Sequence, residues 1–270
     1  MPAIPLNHLT VGIKGAGEMA SAVAWRLHQA RIRRIFMMEI ARPIAVRRVV
    51  SFCEAVYEGR QRVEDVEALL IDSFADLESV WRENKIAVIV DPKWQTVSNV
   101  RPQVVVDAIL AKQNLGTHLS EAPLVIGLGP GFTAGRDVHM LIETNRGHNL
   151  GRVIVSGTAE PNTGIPGNIG GFSGRRVLRS SAEGLFDSAR AIGDQVKAGE
   201  VVGVVAGVEV RAEIDGVLRG LIRSETRVAS GLKLGDIDPR NDPGFCRTIS
   251  DKGRAIAGSV LEAIMRKYND

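Results

Sequence analysis

The feature that most constrains this chain is a junction near its amino-terminal end. Residues 9–14, LTVGIK, are a short apolar strand candidate that runs straight into Gly15-Ala16-Gly17-Glu18-Met19-Ala20, a GxGxxA turn. The helical pattern SAVAWRLHQA follows, and then a second strand candidate over residues 35–40 that contains Glu39. Strand, glycine turn, helix, strand and acid in that order open a dinucleotide-binding βαβ unit. Gly15 allows the tight turn, Gly17 lets backbone approach a pyrophosphate, and Ala20 lets helix and sheet pack closely. Gly15, Ala16, Gly17, Glu18 and Met19 then form the candidate phosphate cradle, because the helix start presents free N–H groups to an anion. Glu39 lies 22 residues beyond Gly17, where a carboxylate can accept from both ribose hydroxyls. Arg42 stands ready for a 2′-phosphate, so NAD and NADP both remain open.

The alternation continues. Residues 66–71 are apolar, 73–84 have helical spacing, and 86–91 (IAVIVD) form a buried-strand run that Pro92 ends. Residues 104–112 start strand-like and finish helix-like. Strands alternating with helices at this spacing predict a mainly parallel sheet.

Glycine usage then changes. Four of the 29 glycines lie in residues 1–115, and 13 lie in residues 116–174. The string PLVIGLGPGFTAG at 123–135 reads as a second strand feeding a glycine loop, which makes Gly129 and Gly131 further candidates for cofactor binding. The segment PNTGIPGNIGG at 161–171 is too rich in turn formers for helix or regular strand. Residues 193–237 hold an internal repeat, Val196-x-x-Gly199-x-x-x-Gly203 recurring as Val228-x-x-Gly231-x-x-x-Gly235. That pattern resembles the barrel-sandwich hybrid of biotinyl and lipoyl domains. No lysine lies between Lys197 and Lys233, so a carrier role for the hairpin is disfavoured. Residues 251–268 close with a helical pattern.

A formal charge of +3 with few aromatics argues against nucleic-acid binding and leaves an anionic small molecule compatible. Cys53 and Cys246 form no CxxC pair. Residues 1–10 lack the pattern of a signal peptide, and the apolar run 201–210 is too short to span a bilayer, so a cytoplasmic location is expected. GxSxG, HExxH, GxxxxGK[ST] and paired CxxC are all missing, which weakens hydrolase, zincin, Walker-type and zinc-ribbon readings. Asp137, His139, Glu143, Arg146 and His148 form the densest polar cluster. Hydrogen bonding is favoured there over a metal at His139, Glu143 and His148, and Arg146 is left for an anionic ligand.

The strings RPIAVRRVVSFCEAVYEG, VVVDAILAKQNLGT, APLVIGLGPGFTAGRDVHMLIETNRGHNLGRVI, PNTGIPGNIGG, DGVLRGLI, GLKLGDIDPR and ISDKGRAIAGSVLEAI run in order along nearly the whole chain. Together they resemble the YqeB-type family, whose members are called selenium-dependent molybdenum hydroxylase system proteins. The portion from GPGFTAG to IETNRGHNLGRVI also looks like part of the xanthine dehydrogenase accessory factors. The resemblance implies an association with molybdenum hydroxylases and a role in maturing or loading their cofactor. It implies no catalytic residue.

The expected fold is therefore α/β: a Rossmann-like parallel-sheet region at 1–115, a glycine-rich α/β region at 116–183, a barrel-sandwich-hybrid-like β module at 184–240, and a terminal helix at 241–270. The expected function is accessory or maturation factor for a selenium-dependent molybdenum hydroxylase, binding NAD(P) or a molybdenum cofactor dinucleotide. The alternative is an NAD(P)-dependent oxidoreductase. No catalytic residue and no metal ligand are assigned, and a homo-oligomer is compatible.

Overall fold

A computed structural model describes residues 5–269. The first four residues, part of the stretch read for a leader, lie outside the described residues. The chain divides into two compact units with interleaved boundaries. The first takes the described residues up to Pro43, then Ser51–Asn162, and again from Ile249 onward. The second takes Ile44–Val50 and Thr163–Thr248.

The first unit is built on β1 (Thr10–Lys14), α1 (Glu18–Gln29), β2 (Arg34–Glu39), α2 (Ala55–Glu58), β3 (Arg60–Val63), β4 (Val66–Ile71), α3 (Leu77–Arg82), β5 (Ile86–Val90), α4 (Gln95–Val100) and β6 (Val104–Asp107). It continues through β7 (Leu124–Leu128), β8 (Thr133–Ala134), β9 (Met140–Ile142), β10 (Val153–Ile154) and β11 (Gly157–Thr158). Nine strands form one sheet in the order β10-β9-β7-β6-β1-β2-β5-β4-β3. The inner seven are parallel, and β3 and β10 run antiparallel at the two edges. The continuous apolar runs make sense for strands covered on both faces. On one face Phe36, Met38, Trp81, Val105, Val125 and Leu141 share a core.

The terminal helix belongs to this unit. α5 (Asp251–Tyr268) is capped by Ser250, whose hydroxyl accepts from Gly253 N. It packs against α1, and a Cβ on Gly253 would lie 3.1 Å from the Cβ of Ala22. A small residue is needed where the two helices approach most closely.

The second unit is antiparallel throughout. Its strands are β12 (Val177–Arg179), β13 (Gly184–Asp187), β14 (Gln195–Val196), β15 (Val201–Val205), β16 (Val208–Arg211), β17 (Gly216–Leu221), β18 (Thr226–Val228) and β19 (Lys233–Asp238). They form two four-stranded sheets, β12-β19-β17-β14 and β16-β15-β13-β18. The sequence repeat is visible in this topology. β14 and β15 cross from the first sheet to the second, and β18 and β19 cross back. Gly199 and Gly231 sit at the equivalent crossings with φ of +89° and +83°. The core gathers Leu178, Phe186, Val202, Leu218, Leu234 and Ile237. Asp236, fully buried, is held by Arg176 at 3.0 Å and Arg219 at 2.5 Å. Arg176 also donates to Gly167 O, which ties the glycine-rich segment 161–171 to β19.

These observations correct the expected fold class. The sheet is mixed, with an antiparallel strand at each edge of its parallel centre, and it does not stop at residue 115, since β7, β9 and β10 continue it to Ile154. Nor does the expected strand–helix alternation persist. The connections from β6 to β7 and from β7 to β9 contain no α-helix, and α5 packs against β7 and β9 instead. The physical reason is that an apolar run marks a strand but records neither its direction nor a covering helix that arrives from 120 or so residues away. The Rossmann-like region, glycine-rich α/β region and barrel-sandwich-hybrid-like module are replaced by a nine-stranded mixed sheet and two four-stranded antiparallel sheets.

Candidate functional site

The candidate site lies at the carboxyl ends of β1, β2 and β6. Strand order reverses between β1 and β6, since β2 follows on one side and β6 pairs on the other. In open α/β sheets such a reversal leaves a crevice where ligands bind.

The glycine turn stands at this edge. Gly15 has φ +86° and donates its N–H to Met38 O at 2.8 Å. Gly17 is the N-cap of α1 with no side-chain cap, and a Cβ placed on it meets no atom within 4 Å. Ala16, Met19 and Ala20 are buried. Ala16 O accepts from Cys53 N at 2.8 Å and from the Ser21 hydroxyl at 3.0 Å, which locks the far side of the turn. The open side is therefore the Gly17 side. Glu18 accepts from the Ser250 hydroxyl at 3.1 Å, so the first turns of α1 and α5 are adjacent. Lys252, in that first turn of α5, is pushed below its usual range by burial and by Arg146, and Glu18 pulls it back.

Glu39 is where the spacing expects it, at the end of β2, but its carboxylate faces the turn. Oε2 accepts from Ala16 N at 2.8 Å and Oε1 from Ile40 N at 2.8 Å. Burial pushes its pKa up, and those two backbone bonds oppose the shift. Each oxygen retains a second lone pair for a ribose hydroxyl. The Ala16 N–H is engaged by Glu39, and the turn stays open at Gly17.

Gly129 and Gly131 lie at the end of β7, beyond β6. Gly129 has φ +77° and Gly131 φ +113°. A Cβ on Gly129 would run into the Thr144 hydroxyl, and one on Gly131 would lie 2.6 Å from Gln113 N. Protein backbone and side chain thus occupy the space beside both glycines. The segment after β6 separates the two glycine loops, with Ile109 against Gly15 and Leu110 against Gly129.

Four further residues, Lys14, Asp107, Thr117 and Glu121, are bonded into a network at these strand ends. Lys14, the last residue of β1, is fully buried, and its ammonium donates to the Thr117 hydroxyl and to Glu121 Oε1, both at 2.7 Å. Thr117 in turn donates to Asp107 Oδ2 at 2.6 Å. Burial raises the Asp107 pKa, against the Thr117 and Ile109 hydrogen bonds and the Lys14 charge. Glu121 Oε2 is buried and accepts no hydrogen bond among the described residues. The Trp94 ring lies 5.7 Å from the Lys14 ammonium, on a residue held at φ +58°. One cation and two carboxylates in a low-dielectric setting form a charge-assisted network. A lysine directly before GxGxxA was the available signal, but within LTVGIK it reads as the end of an apolar strand.

The polar cluster at 137–148 is spent on structure. His139 Nδ1 accepts from Val125 N at 2.9 Å, and Glu143 accepts from Asn145 N and Glu160 N, both at 2.7 Å. Arg146, expected to await an anion, is paired bidentately with Asp251. Among the described residues no group of three His, Cys, Asp or Glu side chains is arranged to hold a metal. Cys53 and Cys246 are both buried. No described helix is long and apolar enough to cross a membrane.

Fold and site together define a two-unit protein, with a glycine turn and a buried lysine–carboxylate network at one set of strand ends. The chain is 47% identical over 264 residues to the "Uncharacterized protein YqeB" of Escherichia coli strain K12, covering 98% of this chain and 49% of that protein. The YqeB resemblance read from the motif strings is supported by that relative, and the chain spans about half its length. No protein-family profile matches the chain. Among solved structures, TcdA (CsdL) aligns at 11% identity with a TM-score of 0.30, over 98% of this chain and 90% of that one. An aspartoacylase family protein from Mesorhizobium loti aligns at 14% identity with a TM-score of 0.28, over 85% and 84%. Scores of this size assign neither fold nor function.

Proposed function

We propose that this protein is an accessory or maturation factor for a selenium-dependent molybdenum hydroxylase, and that it binds a nucleotide-type ligand at the strand-end site. The observation that carries the binding part is Gly17: open space at the uncapped start of α1, beside Glu39 and the buried Lys14 network. A ligand pyrophosphate would sit against Gly17 and the first turn of α1, where N–H groups and helix dipole favour negative charge. Glu39 would accept from a ribose hydroxyl. NAD(P) and a molybdenum cofactor dinucleotide both carry these groups. The hydroxylase partner follows from the YqeB resemblance.

Gly17→Val is an unusually clean test. Gly17 has φ −70° and ψ −173°, a conformation open to any L-residue, so the valine fits the fold and fills the ligand space. NAD, NADP, ADP and pyrophosphate are titrated calorimetrically against both proteins. The expected result is binding of at least one nucleotide, weakened tenfold or more by Gly17→Val with thermal stability unchanged. Binding of none, or equal binding to both proteins, overturns the site. The accessory role is tested by hydroxylase activation in cells expressing Gly17→Val, where loss is expected. The second reading, an NAD(P)-dependent oxidoreductase, draws on Glu39 at the turn and predicts hydride transfer with a nicotinamide cofactor.

A further inference from the structure

Lys252 stands out among the cations of the first unit. Arg34, Arg146 and Arg254 in that unit each pair with a carboxylate. Lys252 is half-buried, yet it has no hydrogen bond and no ion pair among the described residues. Taking a charge out of water without a partner costs stability. Arg146 adds like charge nearby, while Glu18 and Glu143 offset it from beyond ion-pairing distance. A cation kept in that condition is a candidate for ligand binding.

Its placement adds a second lysine. Two segments border the glycine turn. On one side, Ile109 Cα lies 3.4 Å from where a Cβ on Gly15 would stand, and Lys112 follows three residues on. Lys112 is exposed and likewise has no hydrogen bond or ion pair among the described residues. On the other side, the Ser250 hydroxyl bonds Glu18 at 3.1 Å, and Lys252 follows two residues on. The two ammoniums are near enough for their charges to act on each other.

The acids in this neighbourhood are engaged by other donors. Glu18 accepts from Ser250, Asp251 is paired bidentately with Arg146, and Glu143 accepts from Asn145 N and Glu160 N. Two like charges gathered without ion-pair partners are stabilised by a multiply charged anion.

We propose that Lys252 and Lys112 receive the third phosphate of a nucleoside triphosphate, whose ribose lies at Glu39 and whose inner phosphates lie at Gly17. This rests on the nucleotide reading above and narrows its ligand class. Glu39 bonds the Ala16 side of the turn, whereas Lys252 comes in on the Glu18 side. A dinucleotide continues from its pyrophosphate into an uncharged ribose, which leaves both ammoniums bare. A triphosphate continues into a further phosphate, which gives them a charge-assisted partner.

The test titrates ATP, GTP, CTP, their diphosphates and NAD against the full chain by calorimetry, in metal-free buffer at fixed ionic strength. At least one triphosphate is expected to bind tenfold or more tighter than its own diphosphate and than NAD. Lys252→Met and Lys112→Met are each expected to cut that advantage at least threefold. Lys85→Met, at a surface ion pair, is expected to leave it unchanged. Lys252 has no ion pair to lose, so Lys252→Met should melt no lower than the parent chain, and Lys112→Met alters an exposed position. Equal binding of triphosphates and diphosphates overturns the triphosphate assignment and leaves the nucleotide site standing. An advantage that survives both lysine variants, or that Lys85→Met reduces as much, also overturns it. Absence of all nucleotide binding overturns the site itself, and the triphosphate assignment with it.

Discussion

Replacing Lys14 by Met probes the energetic weight of the buried network. Methionine approximates the lysine stem in length, so the packing loss is small, under about 1.5 kcal/mol. The electrostatic loss is larger. Lys14 is fully buried and pairs with Glu121, whose side chain is 10% exposed. Its charge also acts on Asp107, 2% exposed, through Thr117. Removing one partner from such a pair leaves buried charge uncompensated and costs about 3–5 kcal/mol. An exposed pair such as Lys85–Glu83 is screened by water and contributes far less, which makes Lys85→Met the control. All three tryptophans, Trp25, Trp81 and Trp94, lie in the first unit, so fluorescence during urea unfolding reports that unit alone. The loss also has a pH signature. Burial raises the Asp107 pKa and Lys14 holds it down, so Lys14→Met raises it further. A carboxyl that takes up its proton more readily when folded costs stability as pH rises from its unfolded value, about 3.9, through its folded one. The deficit of the variant is therefore largest at pH 7 and shrinks toward pH 4. A loss below about 1 kcal/mol at pH 7, or one that is constant from pH 4 to 7, would refute this reasoning.

Other consequences are equally direct. Gly131→Ala meets both φ +113° and the Gln113 backbone, so about 2 kcal/mol or more of first-unit stability is expected to be lost in the same urea assay. Asp236→Asn leaves Arg176 and Arg219 facing a neutral group. A loss of about 3–5 kcal/mol should appear as faster amide exchange in β17 and β19, and unchanged exchange rates would count against the network. His139 is held neutral by burial and by Lys267, with Nδ1 accepting from Val125 N. Its folded pKa lies below the unfolded value of about 6.5, so its contribution is present above that value and is lost as pH falls through the window below it. An NMR titration of the imidazole should give a midpoint below 6.5. Cys246, buried and with its thiol pKa raised by that burial, should react with a thiol reagent only on unfolding, and rapid labelling of folded protein would contradict its placement.

Much of the local structure is legible from residues alone. The strand before Gly15, the turn, α1 and the strand ending at Glu39 all form where apolar runs and glycine spacing put them. So does α5, over the residues 251–268 that carry a helical pattern. The repeat at Val196 and Val228 likewise corresponds to two equivalent strand crossings. These features depend on contacts within a few residues, or on a pattern repeated in the chain, and such information is written locally.

The tertiary structure decided what those elements do for one another. Gly129 resembles Gly15 in sequence, yet Thr144 lies against the one while open space lies beside Gly17 in the other turn. Arg146 and Arg152 are alike as letters six positions apart. One meets Asp251 from the far end of the chain, and the other faces a cavity. Lys14 reads as the polar end of a strand until Thr117 and Glu121 close around it, more than 100 residues later. Propensity and spacing determine which backbone shape a segment takes. Whether a donor, a charge or a gap in the atoms is already used depends on side chains that arrive from elsewhere, and only the folded chain brings those together.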